Sequence, residues 1–103
     1  MKKELSIIAV VIDNLEVTKR FVSSIRQYTQ NYELILIDNA SKDKKAVSFI
    51  KDASDKSFRF EKRASLAEAW NKGIQLAEGK YLAVVNNDTV VKKKSPRRCW
   101  WLL

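Results

Sequence analysis

The chain has 103 residues, of which 46% are hydrophobic and 31% charged, so length and composition predict one globular domain and argue against wholesale disorder. It contains two glycines and no histidine. This excludes glycine-rich dinucleotide and phosphate loops, and every histidine-based catalytic or zinc site. A single cysteine, Cys99, excludes an internal disulfide and a multi-cysteine metal site.

The net charge of +8 is unevenly distributed along the chain. Five of the twenty basic residues lie between Lys92 and Arg98, and no acidic residue follows Asp88. Residues 1–91 carry fifteen basic and twelve acidic side chains, so the body of the protein is only mildly basic. Charge alone therefore gives little support for a nucleic-acid partner, and we expect none.

The N-terminal segment does not predict export or membrane insertion. Charged residues interrupt the chain soon after its first short apolar run, unlike a secretory signal. No apolar stretch approaches the roughly 20 residues that a membrane-spanning helix needs. The sequence thus predicts a cytoplasmic protein, in which a lone reduced cysteine is ordinary.

Apolar runs and amphipathic stretches alternate along the chain. The runs 5–12 and 32–37 are nearly continuous, as in strands covered on both faces of a parallel sheet. Alternation over 57–61 predicts a short strand nearer the sheet edge, and 81–85 predicts the last strand. Helical spacing predicts a helix over 15–29, for which Asp13 and Asn14 offer an N-cap. A thin apolar stripe over 46–53 predicts the second helix.

The third helix has the clearest end signals. Ser65 and Glu68 form a capping-box pattern, and Gly79 stands where a left-handed glycine cap is expected. Five residues are predicted to share the buried face, with the tryptophan in the core: Leu66, Ala69, Trp70, Ile74 and Ala77.

The order β-α-β-α-β-α-β with short connections predicts the α/β class, with a Rossmann-like, doubly wound parallel sheet. We assign residues 1–91 to this domain. Residues 92–103 fall outside the pattern and form a basic tail that contains tryptophan.

Polar residues follow three of the predicted strands. Asp13, Asp38 and Asp88 stand at or just after strand ends, and amides accompany them at Asn39, Asn86 and Asn87. Ligands of open α/β sheets bind at the carboxyl ends of the strands, so these oxygens predict a site for a hard cation and a diphosphate. The alternative is that each is a turn former or helix cap, and that Asp13 only caps the first helix.

Three segments resemble motifs of one enzyme family. Residues 37–43 (IDNASKD) are similar to its [VI]-D-[DN]-[GA]-S-x-D segment, 69–74 (AWNKGI) to its A-x-N-x-G-[IL] helix, and 85–89 (VNNDT) to its metal-binding DxD-type segment. They occur in the family's order. The chain therefore resembles the N-terminal, nucleotide-binding half of family 2 inverting glycosyltransferases, which have the GT-A fold.

The resemblance implies roles for individual residues. Asp38 would accept a hydrogen bond from the base of a sugar nucleotide, most naturally from a uracil N–H. Asp88 would coordinate Mn²⁺ or Mg²⁺ bridging the diphosphate, and Asn86 would face the ribose or a phosphate. Asn71 would open toward the donor, or else be a cap or solvent-facing amide. The whole predicted nucleotide-binding set is Ile12, Asp13, Asp38, Asn39, Asn71, Asn86 and Asn87, with Asp88 as metal ligand.

The implied activity is transfer of a sugar, with a UDP-linked donor favoured, to an acceptor that the sequence does not identify. Family members usually carry T-Y-N or similar after the first strand, where this chain has Val11-Ile12-Asp13. No acidic residue after Asp88 offers the general base that direct displacement needs, so no catalytic residue is assigned and an inactive, truncated form of such an enzyme is one interpretation. The alternative class is a non-enzymatic α/β binding module, receiver-like or protein-binding, whose working part is the tail. A receiver would need an acidic pair after the first strand, where Asp13 stands alone.

Three interpretations of the tail remain open. The first is a truncated, frame-shifted or artificial end. The second is an interfacial anchor that holds the protein at the inner face of a membrane, and the third is a packing surface. An open sheet edge would also favour a homo-oligomer.

Overall fold

The computed structural model describes residues 4–86, and of Asn86 only the backbone. The elements are β1 (Leu5–Val11), α1 (Leu15–Tyr28), β2 (Tyr32–Asn39), α2 (Lys44–Ala53), β3 (Lys56–Phe60), α3 (Leu66–Leu76) and β4 (Tyr81–Asn86). The predicted α/β class and element order are confirmed. Asp38 and Asn39 are the last two residues of β2, which is longer than predicted because Asn39 still pairs in register with Phe60 of β3.

The four strands form one parallel sheet in the order β3-β2-β1-β4. The chain first winds outward from β1 to β3 and then crosses back to place β4 on the other side of β1. The strand order therefore reverses between β1 and β4, and parallel α/β sheets bind ligands at such a point. Val11 pairs with Asp38 and Val10 with Asn86, so the carboxyl ends of three strands lie side by side.

Helices cover both faces of the sheet, which explains the continuous apolar runs of β1 and β2. On one face α1 and α2 bury Ile7, Ala9 and Val11 of β1 together with Phe21 and Ile50. On the other face α3 packs through Ala69 on a second apolar cluster formed by Ile8, Ile35 and Ile37.

The predicted buried face of α3 is partly wrong. Leu66 and Ile74 are 51% and 42% exposed, Trp70 is only half-buried, and the buried residues of the helix are Ala69 and Gly73. The reason is the short distance between helix and sheet at Gly73, where an added Cβ would collide with Cγ2 of Ile8. Small residues therefore face the sheet, and the larger ones are displaced to the flank of the helix.

The helix ends also differ in part from prediction. Ser65 caps α3 as predicted, since its Oγ accepts a hydrogen bond from the Glu68 N–H at 3.1 Å. Asn14, at the N-cap of α1, adopts a left-handed conformation and makes no side-chain cap. Gly79 is not a left-handed cap either, because no glycine of the described residues has positive φ.

Gly79 is instead part of a polar cluster at the amino ends of the strands. A Cβ there would lie 2.5 Å from Ser6 Oγ and 2.7 Å from Ser6 N, so only glycine fits. The Ser6 hydroxyl accepts from the Gly79 N–H at 2.7 Å and donates to buried Glu33 at 2.5 Å. Glu33 also accepts from the Glu78 N–H at 2.7 Å and pairs with Lys56 at 3.1 Å. The cluster ties the turn before β4 to β1, β2 and β3.

None of the helices between residues 4 and 86 is long and apolar enough to cross a membrane.

Candidate functional site

The site lies where β1 and β2 end, beside the reversal of strand order. Two consecutive residues after β1, Asp13 and Asn14, have φ of 50° and 56°, and Ala40 after β2 has φ of 64°. Asp and Asn tolerate this left-handed conformation better than most residues. The chain therefore turns sharply after each strand, and Ile12, which is 37% exposed, is presented at the surface.

Asp13 joins the loop after β1 to the loop after β2. Its N–H donates to Ser41 Oγ at 2.6 Å, and its Oδ1 accepts from the N–H groups of Lys42 and Asp43 at 2.7 and 2.8 Å. The Asp43 hydrogen bond is the main cause that lowers the Asp13 pKa, and it outweighs partial desolvation. Asp13 therefore does not cap α1; it holds the segment that leads into α2.

Asp38 is the buried carboxylate of the site, with 2% of its surface exposed. Its Oδ1 accepts from the Ser41 N–H at 2.9 Å. Its Oδ2 lies 3.4 Å from Nε of Arg59 in an ion pair, but it receives no hydrogen bond from any described residue. This buried oxygen, which faces Arg59, thus lacks a hydrogen-bond donor within the described part of the chain.

Arg59 was missed by the sequence analysis. It stands opposite Asp38 in the register of β3 on β2, and its Nη2 donates to the Ser41 carbonyl at 2.8 Å. The sequence shows only a polar residue between Phe58 and Phe60, which is typical of any solvated strand face. Its role follows from strand pairing, and pairing is a property of the folded sheet.

Asn39 holds the loop between β3 and α3. Its Nδ2 donates to the Ala64 carbonyl at 3.0 Å and its Oδ1 accepts from the Ala64 N–H at 2.8 Å. Both ends of the amide are thus engaged within the protein. Its predicted contact with a nucleotide stays a prediction.

Of the remaining predicted site residues, two lie in the described part of the chain and two outside it. Asn71 is exposed on α3, and the backbone of Asn86 ends β4 next to Val10 of β1. Asn87 and Asp88 lie outside the described residues. Within 4–86 no three acidic, cysteine or histidine residues gather as a metal site would require. Asp88 stays a predicted ligand. The Asp13 carboxylate and one oxygen of Asp38 are already engaged by backbone N–H groups of the loop after β2.

The comparisons with known proteins agree with this architecture. The sequence model of glycosyl transferase family 2 matches residues 6–100, and the chain belongs to that family. The resemblance noted in the sequence is confirmed. The match includes most of the basic tail, and the domain boundary after residue 91 stays a prediction.

A curated relative is the glycosyltransferase GlyG of Streptococcus pneumoniae serotype 4, which is 32% identical over 73 residues. The match covers 67% of this chain but only 24% of that protein. The chain thus spans about a quarter of the length of this relative.

Two solved structures share the fold. One is the mannosyltransferase PcManGT from Pyrobaculum calidifontis in complex with GDP-Man and Mn²⁺, with a TM-score of 0.70 and 15% identity over 87% of this chain and 29% of that one. The other is S. aureus TarS, with a TM-score of 0.70 and 17% identity over 82% of this chain and 16% of that one. At these identities the likeness establishes the fold, a GT-A-type α/β sheet.

Proposed function

We propose that this chain is the donor-binding part of a glycosyltransferase that takes a nucleoside diphosphate sugar, with UDP as the favoured nucleotide. Family membership supports the class of enzyme. The observation that carries the proposal is the buried Asp38 carboxylate at the end of β2, one oxygen of which has no hydrogen-bond donor.

The chemistry of that oxygen distinguishes among bases. Uracil and guanine carry a ring N–H that can donate to a carboxylate, whereas adenine and cytosine donate only through an exocyclic amino group. Guanine presents two adjacent donors and is best matched by both oxygens of a carboxylate. Because Oδ1 of Asp38 already accepts from the Ser41 N–H, only Oδ2, which faces Arg59 but has no hydrogen bond, is left to accept, and this favours the one N–H of uracil.

A divalent metal is part of the proposal. PcManGT, a neighbour in fold, is described in complex with GDP-Man and Mn²⁺. The resemblance of residues 85–89 to the family's DxD-type segment assigns the metal to Asp88, which lies outside the described residues. A metal held by Asp88 would supply Lewis-acid stabilisation of the diphosphate leaving group. The scarcity of glycine, with two in the chain, supports a metal over a loop of backbone amides as holder of the phosphates.

Sugar transfer also requires a base that takes the proton of the acceptor hydroxyl. No residue of this chain is assigned that role, and hexosyl transfer to an acceptor remains part of the proposal. The roles suggested for the tail, membrane contact among them, fall on residues outside the described part. Self-association through an open edge and a cytoplasmic location likewise stay predictions.

The test is calorimetric titration of the chain with UDP, GDP and CDP, with and without Mn²⁺. We expect saturable binding of UDP that needs the metal, and weaker binding of GDP and CDP, which share the diphosphate but match the Asp38 oxygen less well. Asp38→Asn should abolish the preference for UDP over CDP, since the amide presents a neutral and partly donating group. Asp52→Asn, the same change at an exposed position of α2, is the matched control.

Metal dependence is tested separately with Asp88→Ala, which should bind UDP only as weakly as the wild type does without Mn²⁺. Binding of UDP and CDP with equal affinity would contradict the role of Asp38. No binding of any nucleotide would contradict the proposal and leave the non-enzymatic module as the interpretation to pursue.

A further inference from the structure

An open groove of about 1020 Å³ lies at the β3 side of the site. One wall is formed by one face of α2, whose lining residues are spaced three or four apart along the helix. The other wall is formed by the end of β3 and the segment that follows it. The lining of this basic groove is Ala40, Ser41, Lys42, Lys44, Val47, Ser48, Lys51, Arg59, Glu61, Lys62 and Arg63.

The groove concentrates positive charge in a nearly neutral body. Residues 4–86 contain thirteen lysines and arginines against eleven acidic residues, and six of the thirteen line this groove together with a single acid, Glu61. Arg59 is paired with Asp38. Within the described part of the chain, the other five make no ion pair. Lys42 and Arg63 are close enough to Asp13 to help lower its pKa, and the charges of the other three, Lys44, Lys51 and Lys62, are available to a ligand.

The start of α2 adds a second, independent observation. Its first turn contains Lys44 and Lys45 and no acidic residue, although the positive end of a helix dipole disfavours cations. Two carboxylates lie at this end of the helix: Asp43 accepts from the Lys45 N–H at 2.9 Å, and Asp13 accepts from the Asp43 N–H at 2.8 Å. Where a sequence breaks such a local rule, a functional site is a common reason. A bound anion beside Lys44 would stabilise this lysine-rich helix end further.

We propose that the basic groove binds phosphate groups of a ligand other than the sugar nucleotide. The groove borders β3 and reaches Asp38 through Ser41 and Arg59, whereas the donor diphosphate is proposed to lie where the strand order reverses between β1 and β4. At about 4.8 Å per strand, the groove and the diphosphate are roughly 10 Å apart. Lysine ammonium groups on flexible stems suit phosphate as point charges. The phosphate belongs either to the headgroup of an anionic phospholipid or to a soluble phosphorylated compound. The proposal does not depend on nucleotide or metal binding.

The experiment uses the full chain in the presence of EDTA, which removes metal-dependent nucleotide binding. Inorganic pyrophosphate is titrated while backbone amide resonances are followed by NMR. Flotation measures binding to phosphatidylcholine vesicles with and without phosphatidylglycerol. The test variant is Lys44→Gln/Lys51→Gln. The control, Lys19→Gln/Arg20→Gln, makes the same charge change at exposed positions of α1.

Each cation close to an anionic surface contributes about fivefold to affinity, so the test variant should bind about 25-fold more weakly than the control. Pyrophosphate shifts confined to 42–51 and 61–63, without vesicle binding, would support a soluble ligand. Vesicle binding that needs phosphatidylglycerol and is lost only in the test variant would support a lipid headgroup. Absence of binding in both arms, or equal losses in test and control variants, would overturn the proposal.

Discussion

Replacing Gly73 by alanine adds one methyl group at the point where α3 lies closest to the sheet. The new Cβ would collide with Cγ2 of Ile8, and it would lie 3.5 Å from Cγ1 of Ile37. Ile8 is fully buried, and its Cγ2 is bonded directly to Cβ. This methyl group cannot withdraw without a change of rotamer or a shift of β1, so the helix or the strand must move.

Two opposing terms set the expected change in the free energy of unfolding. Alanine is favoured over glycine in a helix by about 1 kcal/mol. Forcing an extra methyl group into a packed core costs about 1–3 kcal/mol. Because the colliding atom is buried and rigidly placed, we expect the upper half of that range and a net destabilisation of about 1–2 kcal/mol.

Urea denaturation of Gly73→Ala and of Gln75→Ala, an exposed position of the same helix, measures this difference. In an Ile8→Ala background the collision is gone, so Gly73→Ala should there be neutral or stabilising. A Gly73→Ala protein at least as stable as the wild type would refute the reasoning, because it would mean that α3 moves off the sheet at no cost.

Two further predictions concern ionisable groups. Burial raises the pKa of Glu33, but hydrogen bonds from Ser6, a backbone amide and a lysine outweigh it, and the net pKa is lowered. Ionised Glu33 therefore stabilises the fold fully above the ordinary glutamate pKa, and this stabilisation is lost as the pH falls through the lowered pKa. In Glu33→Gln, the free energy of unfolding measured with urea should consequently decrease less in acid than it does in the wild type. Asp13→Asn keeps a residue that tolerates left-handed φ but removes a charge-assisted acceptor, so amide hydrogen exchange at Lys42 and Asp43 should become faster.

Controls of the same chemistry accompany both variants. Glu16→Gln and Asp52→Asn each remove one exposed carboxylate. An equal change in acid stability in Glu16→Gln would attribute the effect to net charge and not to Glu33. Unchanged exchange at residues 42 and 43 in Asp13→Asn would show that the loop is held by something other than this carboxylate.

The elements themselves were predictable because local patterns specify them. A strand covered on both faces must be apolar at consecutive positions, so the runs at 5–12 and 32–37 predicted β1 and β2 within two residues at each end. Ser65 was predictable as a cap because its hydroxyl bonds a backbone group three residues away. These patterns involve residues close together in the chain and can therefore be predicted from the sequence.

The face that α3 turns to the sheet was not predictable in the same way. Apolar spacing assigned Leu66 and Ile74 to the core, yet both are exposed. The position of Gly73 over Ile8 decides the rotation of the helix, and that contact joins residues far apart in sequence. The same holds for Gly79, whose absence of a side chain is required by Ser6 of another strand and not by a helix cap.

The sequence by itself determined the fold class, the order of elements and the family, and it pointed to Asp38 through its place at the end of an apolar run. Only the tertiary structure decided how the polar residues at that edge are used. It set Asp38 opposite Arg59, and it engaged Asn39 with Ala64 and Asp13 with the loop before α2. The physical reason is that a carboxylate or amide takes its role from the donors that surround it, and these donors come from other strands and loops brought together by folding.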